Sequence, residues 1–255
     1  MRPQPYPIIE HDDARDAFIE PSRVVRPIDI AEHCVLCFFQ DVITGLREEG
    51  MLKPVYTLGS EIGANPVYEL VVDGRRVAVA HPGVGAPLAV GFLEELIALG
   101  CRKFIVCGGA GCLDSVVTLG HLLVPEAAVR DEGTSYHYLP PSREVAADPR
   151  GVAAVERALT ARGLPFVRGK TWTTDALYRE TPKRIAARKA EGCLTVEMEA
   201  AALFAVAAFR DVALGLLLYG GDDLSGVAWD HRGWQGQTAT RRLVFDTAVA
   251  ACCLL

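Results

Sequence analysis

The stretch Glu191–Phe209, EGCLTVEMEAAALFAVAAF, decides how the chain is read. Within it, Thr195–Phe204 sets Glu197, Met198 and Glu199 against an alanine-rich segment free of Gly and Pro. Ala and Leu are strong helix formers, and Ala lets a neighbouring backbone approach closely, so a buried helix is expected from Thr195 onward. Glu197 and Glu199 then fall in its first turn, where the helix dipole favours negative charge. Helix initiation alone is one explanation of the pair. Composition argues for another: two acids flanking a methionine, ahead of an almost wholly apolar helix, stand where a chain excludes charge unless the charge is used.

The surrounding 255 residues are 50% hydrophobic, enough for one large α/β domain with a sizeable core. Net charge is −6 and the 26 Lys and Arg are scattered, which argues against nucleic acid as a partner. The N-terminal MRPQPYPIIEHDD lacks the basic-then-apolar pattern of a secretory signal, and no apolar run reaches the roughly 18 residues of a membrane span. A cytoplasmic location is expected, with no membrane partner. The 8 Cys sit mostly in apolar company. Cys34 and Cys37 form a CxxC, but in a strand-like run without a second pair or a suitably spaced His. Reduced core thiols are the expected reading, and no metal site.

Residues 1–27 are Pro-rich and charged and read as an arm, with His11 expected to be solvated. Cys34–Phe39 is a short apolar run typical of a buried strand, and Gln40–Glu49 a helix closed by Gly50. Val67–Val72 and Arg76–Ala80 read as strands joined by an Asp73-Gly74 hairpin turn. A helix running to Ala98 and a buried strand at Phe104–Cys107 follow, the strand leading into Gly108-Gly109-Ala110-Gly111. Further on come a helix near Gly151–Arg162, a strand at Pro165–Lys170, a basic helix at Pro182–Lys189, a buried strand at Ala213–Tyr219 and a last helix at Thr240–Cys252. Alternating strands and helices predict an α/β fold: a single domain with a mixed, mostly parallel central sheet flanked by helices. No repeat or linker interrupts it.

In open α/β sheets, ligands sit beyond the carboxyl ends of strands. Gly83 and Gly85 follow one such end and Gly108, Gly109 and Gly111 another, where bare backbone N–H groups can approach an anion or sugar oxygens. Tight turns explain the same glycines. A third end carries Asp222 and Asp223, where a carboxylate beside a cavity can be tuned as an acid. Asp223 reads as a helix-capping or loop acid.

VEMEAAALFAVA resembles the ribose-binding signature of the purine/uridine phosphorylase superfamily. HPGVGAPLAVGFLEELIALGCRKF, CGGAGCL, VRDEGTSYHY and TTDALY are similar to further family segments in the family's order, from Cys34 to the C-terminus. The resemblance implies that Met198 packs on a sugar and Glu199 accepts its hydroxyls, with Glu197 beside them. It implies base contacts from Gly108, Gly109, Ala110, Leu177, Trp172 and Thr173, and an anion site at Gly83, Gly85 and Gly109. Asp222 matches the acid that protonates a purine leaving group. Trp172, Trp229 and Trp234 are candidates to stack on a base. The resemblance further implies a homodimer or a hexamer of dimers, with a nucleoside as substrate and no cofactor, phosphate serving as co-substrate of a phosphorylase.

The family's phosphate arginines are missing. The turn after the first strand reads Phe38-Phe39-Gln40-Asp41-Val42-Ile43, the strand position before the central glycines is Val106, and Gly59–Pro66 has no basic residue. Arg offers phosphate a planar, permanently charged fork that amide dipoles do not replace. The residues that read uracil in the family align with Thr181 and Lys183. On the family resemblance, phosphorolysis of a nucleoside is the first expectation; the missing arginines make hydrolysis, with Asp41 activating water, the second. The third is a nucleoside-binding protein without turnover.

Overall fold

The computed structural model describes residues 3–255. An irregular lead-in carries a 3-10 turn at Pro7–Ile9 and a single helical turn, α1 (Pro21–Val24), before β1 (His33–Cys37) and α2 (Gln40–Glu48). A meander follows of β2 (Lys53–Ser60), β3 (Gly63–Val72) and β4 (Arg75–Ala80), then α3 (Ala86–Leu99) and β5 (Lys103–Cys112). Next come β6 (Leu122–Asp131), β7 (Glu144–Ala146), α4 (Pro149–Ala161), β8 (Phe166–Thr174) and α5 (Pro182–Ala190). The order ends with β9 (Cys193–Glu197), α6 (Ala200–Arg210), β10 (Ala213–Asp223) and α7 (Thr238–Cys252). Asp73 (φ 51) and Gly74 (φ 78) both take the left-handed conformation that a two-residue hairpin turn between β3 and β4 requires.

β5 is the hub of the sheet. It pairs in parallel with β1 on one side and β10 on the other, and its far end meets β9 antiparallel. β10 also pairs with β6, β6 with β8, and β8 with β9, so β5, β10, β6, β8 and β9 close into a ring. β1, β4, β3 and β2 extend the sheet outward from β5. The sheet is mixed, as expected. Its parallel ladders lie in the middle, while the meander, β7 and the two pairings that close the ring are antiparallel. α3 and α6 pack together in one helical layer, and α4 and α7 pack on each other over β10, β5 and β1.

α4 lies unusually close to β10. A Cβ built on Gly151 would stand 2.2 Å from the carbonyl oxygen of Leu214, and one on Gly215 would stand 2.7 Å from that of Gly151. Only bare backbone fits there.

Two local expectations are corrected. The opening stretch does not turn helical at Thr195: Cys193–Glu197 is a strand, and the helix starts at Ala200. β-branched Thr195 and Val196 complete the ring between β8 and β5, and the Thr195 hydroxyl donates to that of Thr171 at 3.1 Å. Tertiary pairing overrides helix propensity at that point. Likewise Gly108–Gly111 is no strand-to-helix turn. β5 runs straight through it, paired residue for residue with β10 from Leu218 to Gly220.

His11 is also not simply solvated. The lead-in folds back so that Pro7–Ile9 packs on Thr134–His137. The ring of His11 is half-buried, with Nδ1 enclosed and unpartnered among the described residues.

Candidate active site

At the end of β9 the chain reverses through Met198 and Glu199 into α6. Glu197 caps that helix: one of its oxygens accepts from the amides of Glu199 (2.7 Å) and Ala200 (2.6 Å). The other accepts from the Thr173 hydroxyl at 2.6 Å, and that hydroxyl takes the Ala201 amide at 2.9 Å. Glu199, only 7% exposed, sits at the start of a second helix. It accepts from the amide of Gly85, the residue preceding α3, at 2.5 Å and from the amide of Met198 at 3.3 Å. Neither acid has a Lys or Arg ion-pair partner among the described residues. Burial pushes both carboxyls above the usual carboxylate range, and the charge of Glu197 adds to the rise at Glu199.

Beside them opens a cavity of about 440 Å³ at the carboxyl ends of three strands. β5 contributes Gly109, Ala110 and Gly111, β9 and the reversal Val196, Glu197 and Met198, and the end of β10 Gly221, Asp222 and Leu224. The segment before α5 adds Leu177, Tyr178 and Glu180, and the loop before α7 adds Trp229 and Trp234. A Cβ on Gly111 would meet Leu224 at 2.7 Å and Val196 at 3.0 Å, so glycine lets these three strand ends close around the space.

Asp222 lies on the cavity wall, its Oδ2 accepting the Trp229 indole N–H at 2.7 Å. Asp223 is a loop acid: it pairs with Arg232 and accepts from the Ser225 amide at 2.8 Å. Leu177, 48% exposed, lies at the mouth of the cavity. Glu180 was missed by sequence reasoning. It lines the cavity without a hydrogen bond or ion pair to its side chain among the described residues. Burial, and then the charge of Asp222, push its carboxyl up to about 7. The only signal was an acid two residues after TTDALY and two residues ahead of the proline that starts α5.

Several predicted contacts are not brought to the cavity. Trp172 is fully buried, with Nε1 donating to Asp131 at 3.0 Å and the Arg188 guanidinium 5.9 Å from its ring centre, so it cannot stack on a ligand. Thr173, also fully buried, positions Glu197 instead of touching a ligand. Gly108 packs under the Phe38 ring, 3.2 Å from where its Cβ would be. The amides expected to hold an anion are occupied: Gly83 donates to His81 Nδ1 at 3.0 Å, and Gly85 to Glu199. Asp41 is held by Arg241 at 2.9 Å, whose guanidinium also bonds the Tyr219 hydroxyl and lies between the rings of Phe39 and Trp234. Asp41 is thus engaged by Arg241 and does not line the cavity. Glu199 adjoins the cavity through Met198 but is turned toward the Gly85 amide.

Residues 32–249 match the family model of the phosphorylase superfamily, and the chain belongs to that superfamily. A guanosine phosphorylase of Halorubrum lacusprofundi is 25% identical over 217 residues, covering 85% of this chain and 82% of its own. A uridine phosphorylase of Salmonella typhimurium is 29% identical over 160 residues, 57% of this chain and 63% of that protein. Among solved structures, a uridine phosphorylase from Vibrio fischeri superposes with a TM-score of 0.76 at 24% identity, over 89% of this chain and 93% of that one. An AMP nucleosidase from Bacteroides thetaiotaomicron superposes with a TM-score of 0.72 at 22% identity, over 89% and 90%. At these identities the two superpositions bear on the fold.

Proposed function

We propose that this member of the superfamily is an enzyme that cleaves the N-glycosidic bond of a nucleoside and transfers the pentosyl group to phosphate. The observation that carries the reading is a cavity lined by both Met198 and Asp222, with the unpaired acid Glu199 beside it, bonded to the Met198 amide. A sugar lying on Met198 has its hydroxyls beside Glu199, with its base reaching toward Asp222. As the C–N bond breaks, its electron pair passes to the base nitrogen, which takes a proton from Asp222. Glu199 steadies the cationic sugar through its hydroxyls, and a phosphate oxygen bonds to the anomeric carbon. The products are free base and sugar 1-phosphate. The buried cysteines, Cys253 alone being partly exposed, support a reducing, cytoplasmic setting. Relatives named as guanosine and uridine phosphorylases support phosphate as the acceptor.

One observation favours water instead. Among the described residues no Lys or Arg lines the cavity, and the Gly83 and Gly85 amides are engaged, so these residues offer phosphate no cationic cradle. Measuring base release from a nucleoside panel with and without phosphate separates the two. Release that requires phosphate supports the first reading, and release indifferent to phosphate supports hydrolysis. Saturable binding with no release from any nucleoside would overturn both.

A further inference from the structure

We propose that Glu180 is the specificity-determining residue of this cavity and selects a base carrying an exocyclic amino group over one that presents only carbonyl oxygens. The inference rests on the cavity being the nucleoside site.

Among the described residues, the charged side chains of the cavity wall are all carboxylates, Glu180, Glu197 and Asp222, and no Lys, Arg, Asn or Gln joins them. Glu197 is consumed in capping α6 and bonding Thr173. One oxygen of Asp222 takes the Trp229 indole N–H, which removes that donor from the wall as well. Glu180 lines the cavity, and a neighbouring one, with no side-chain hydrogen bond or ion pair among the described residues. A heterocycle entering this space meets carboxylates as its charged partners, the side-chain donors on the lining being the neutral Tyr178 hydroxyl and Trp234 indole N–H.

A dioxo pyrimidine sets its two carbonyl oxygens against such a wall with only one ring N–H to offer. Each carbonyl facing a carboxylate is unpaired and repelled, which is the costly outcome for a desolvated polar group. Above about pH 7, where Glu180 is ionised, an amino-bearing base reverses the match, since its N–H groups donate to that carboxylate with charge-assisted strength, so the comparison is made at pH 8. The polar groups that read uracil elsewhere in the family align with Thr181 and Lys183. Thr181 instead caps α5, accepting from the Arg184 amide, and neither residue lines the cavity.

The test compares guanosine with inosine, which differ only in the exocyclic amino group, and adenosine with inosine and cytidine with uridine, where the amino-to-oxo change also turns a ring nitrogen from acceptor to N–H donor. Base release is measured for the native protein and for Glu180→Gln. In whichever pair turns over, the amino-bearing member is expected to lead in kcat/KM by about tenfold or more. Glu180→Gln, whose amide supplies a donor, is expected to shrink that ratio to within about threefold, chiefly by lowering kcat/KM for the amino-bearing member. Equal or better cleavage of the oxo member by the native protein, or an unchanged ratio in Glu180→Gln, would overturn the assignment. If the native protein releases no base at all, the glycosidic reading fails separately. Calorimetric binding of free adenine against hypoxanthine, and of cytosine against uracil, then decides the role of Glu180 by the same ratios.

Discussion

Glu197 and Glu199 stand two residues apart and share a rise in proton affinity, yet their surroundings divide the work between them. Glu197 spends its oxygens on the start of α6 and on Thr173, whereas Glu199 bonds two amides and has no cation to neutralise it. Glu199→Gln preserves the shape and one acceptor but weakens bonds from sugar hydroxyls, so kcat is expected to fall by about tenfold or more with the melting temperature little changed. Near-native turnover in that variant would remove Glu199 from the mechanism. Asp41 leads to the opposite expectation. Because it pairs with Arg241 away from the cavity, Asp41→Asn should leave turnover within about twofold and cost under about 1 kcal/mol in a denaturant titration. Met198, Ala110, Leu177 and Asp222, to which the family resemblance pointed, line one cavity because they fall at strand ends and in the loops that follow them. Trp172 and Thr173 could not be placed the same way. Along β8 alternate side chains point to opposite faces, and nothing in WTTDALY says which face the ring turns away from.

At the scale of elements, apolar runs located β1, β4, α3, the start of β5 and α7 within a few residues, because burial on both faces leaves a continuous signal. β9 escaped because its five residues sit beside a strong helix former and become a strand only by pairing with β8 and β5. The same blindness to partners hid the extension of β5 through its glycines. Close approach is the other feature that no pattern reveals. α4 and β10 touch backbone to backbone at Gly151 and Gly215, so a single methyl group has nowhere to go. Gly151→Ala is expected to destabilise the protein by about 2 kcal/mol or more, read as a lowered midpoint of chemical unfolding. Gly45, with open space around it in α2, is the matched control: Gly45→Ala should stabilise or leave the midpoint unchanged.

Across the whole molecule, the closed ring of strands gathers acids from distant parts of the chain into one region of low polarity. Glu180 binds its proton more tightly folded than unfolded, so its contribution to stability is intact below the ordinary carboxylate range. That contribution is lost as the pH rises through about 7. Histidines whose affinity is lowered by burial, His33 and His81, act in the opposite sense near neutrality, so the informative quantity is a difference between variants. Glu180→Gln should gain stability over the native protein between pH 5 and pH 8, by on the order of 1 kcal/mol after allowance for solvent screening. Thermal melts of both proteins at the two pH values check the sign. Trp229 gives the molecule one more property. Its indole is 63% exposed and tethered to Asp222 at the cavity rim, while Trp172 is sealed in the interior. An occupant that reaches Asp222 covers or releases that ring, shifting the ultraviolet emission of Trp229, together with that of Trp234 on the same wall, against a steady background from the interior Trp172. The chain therefore carries its own optical gauge of occupancy, readable without a label.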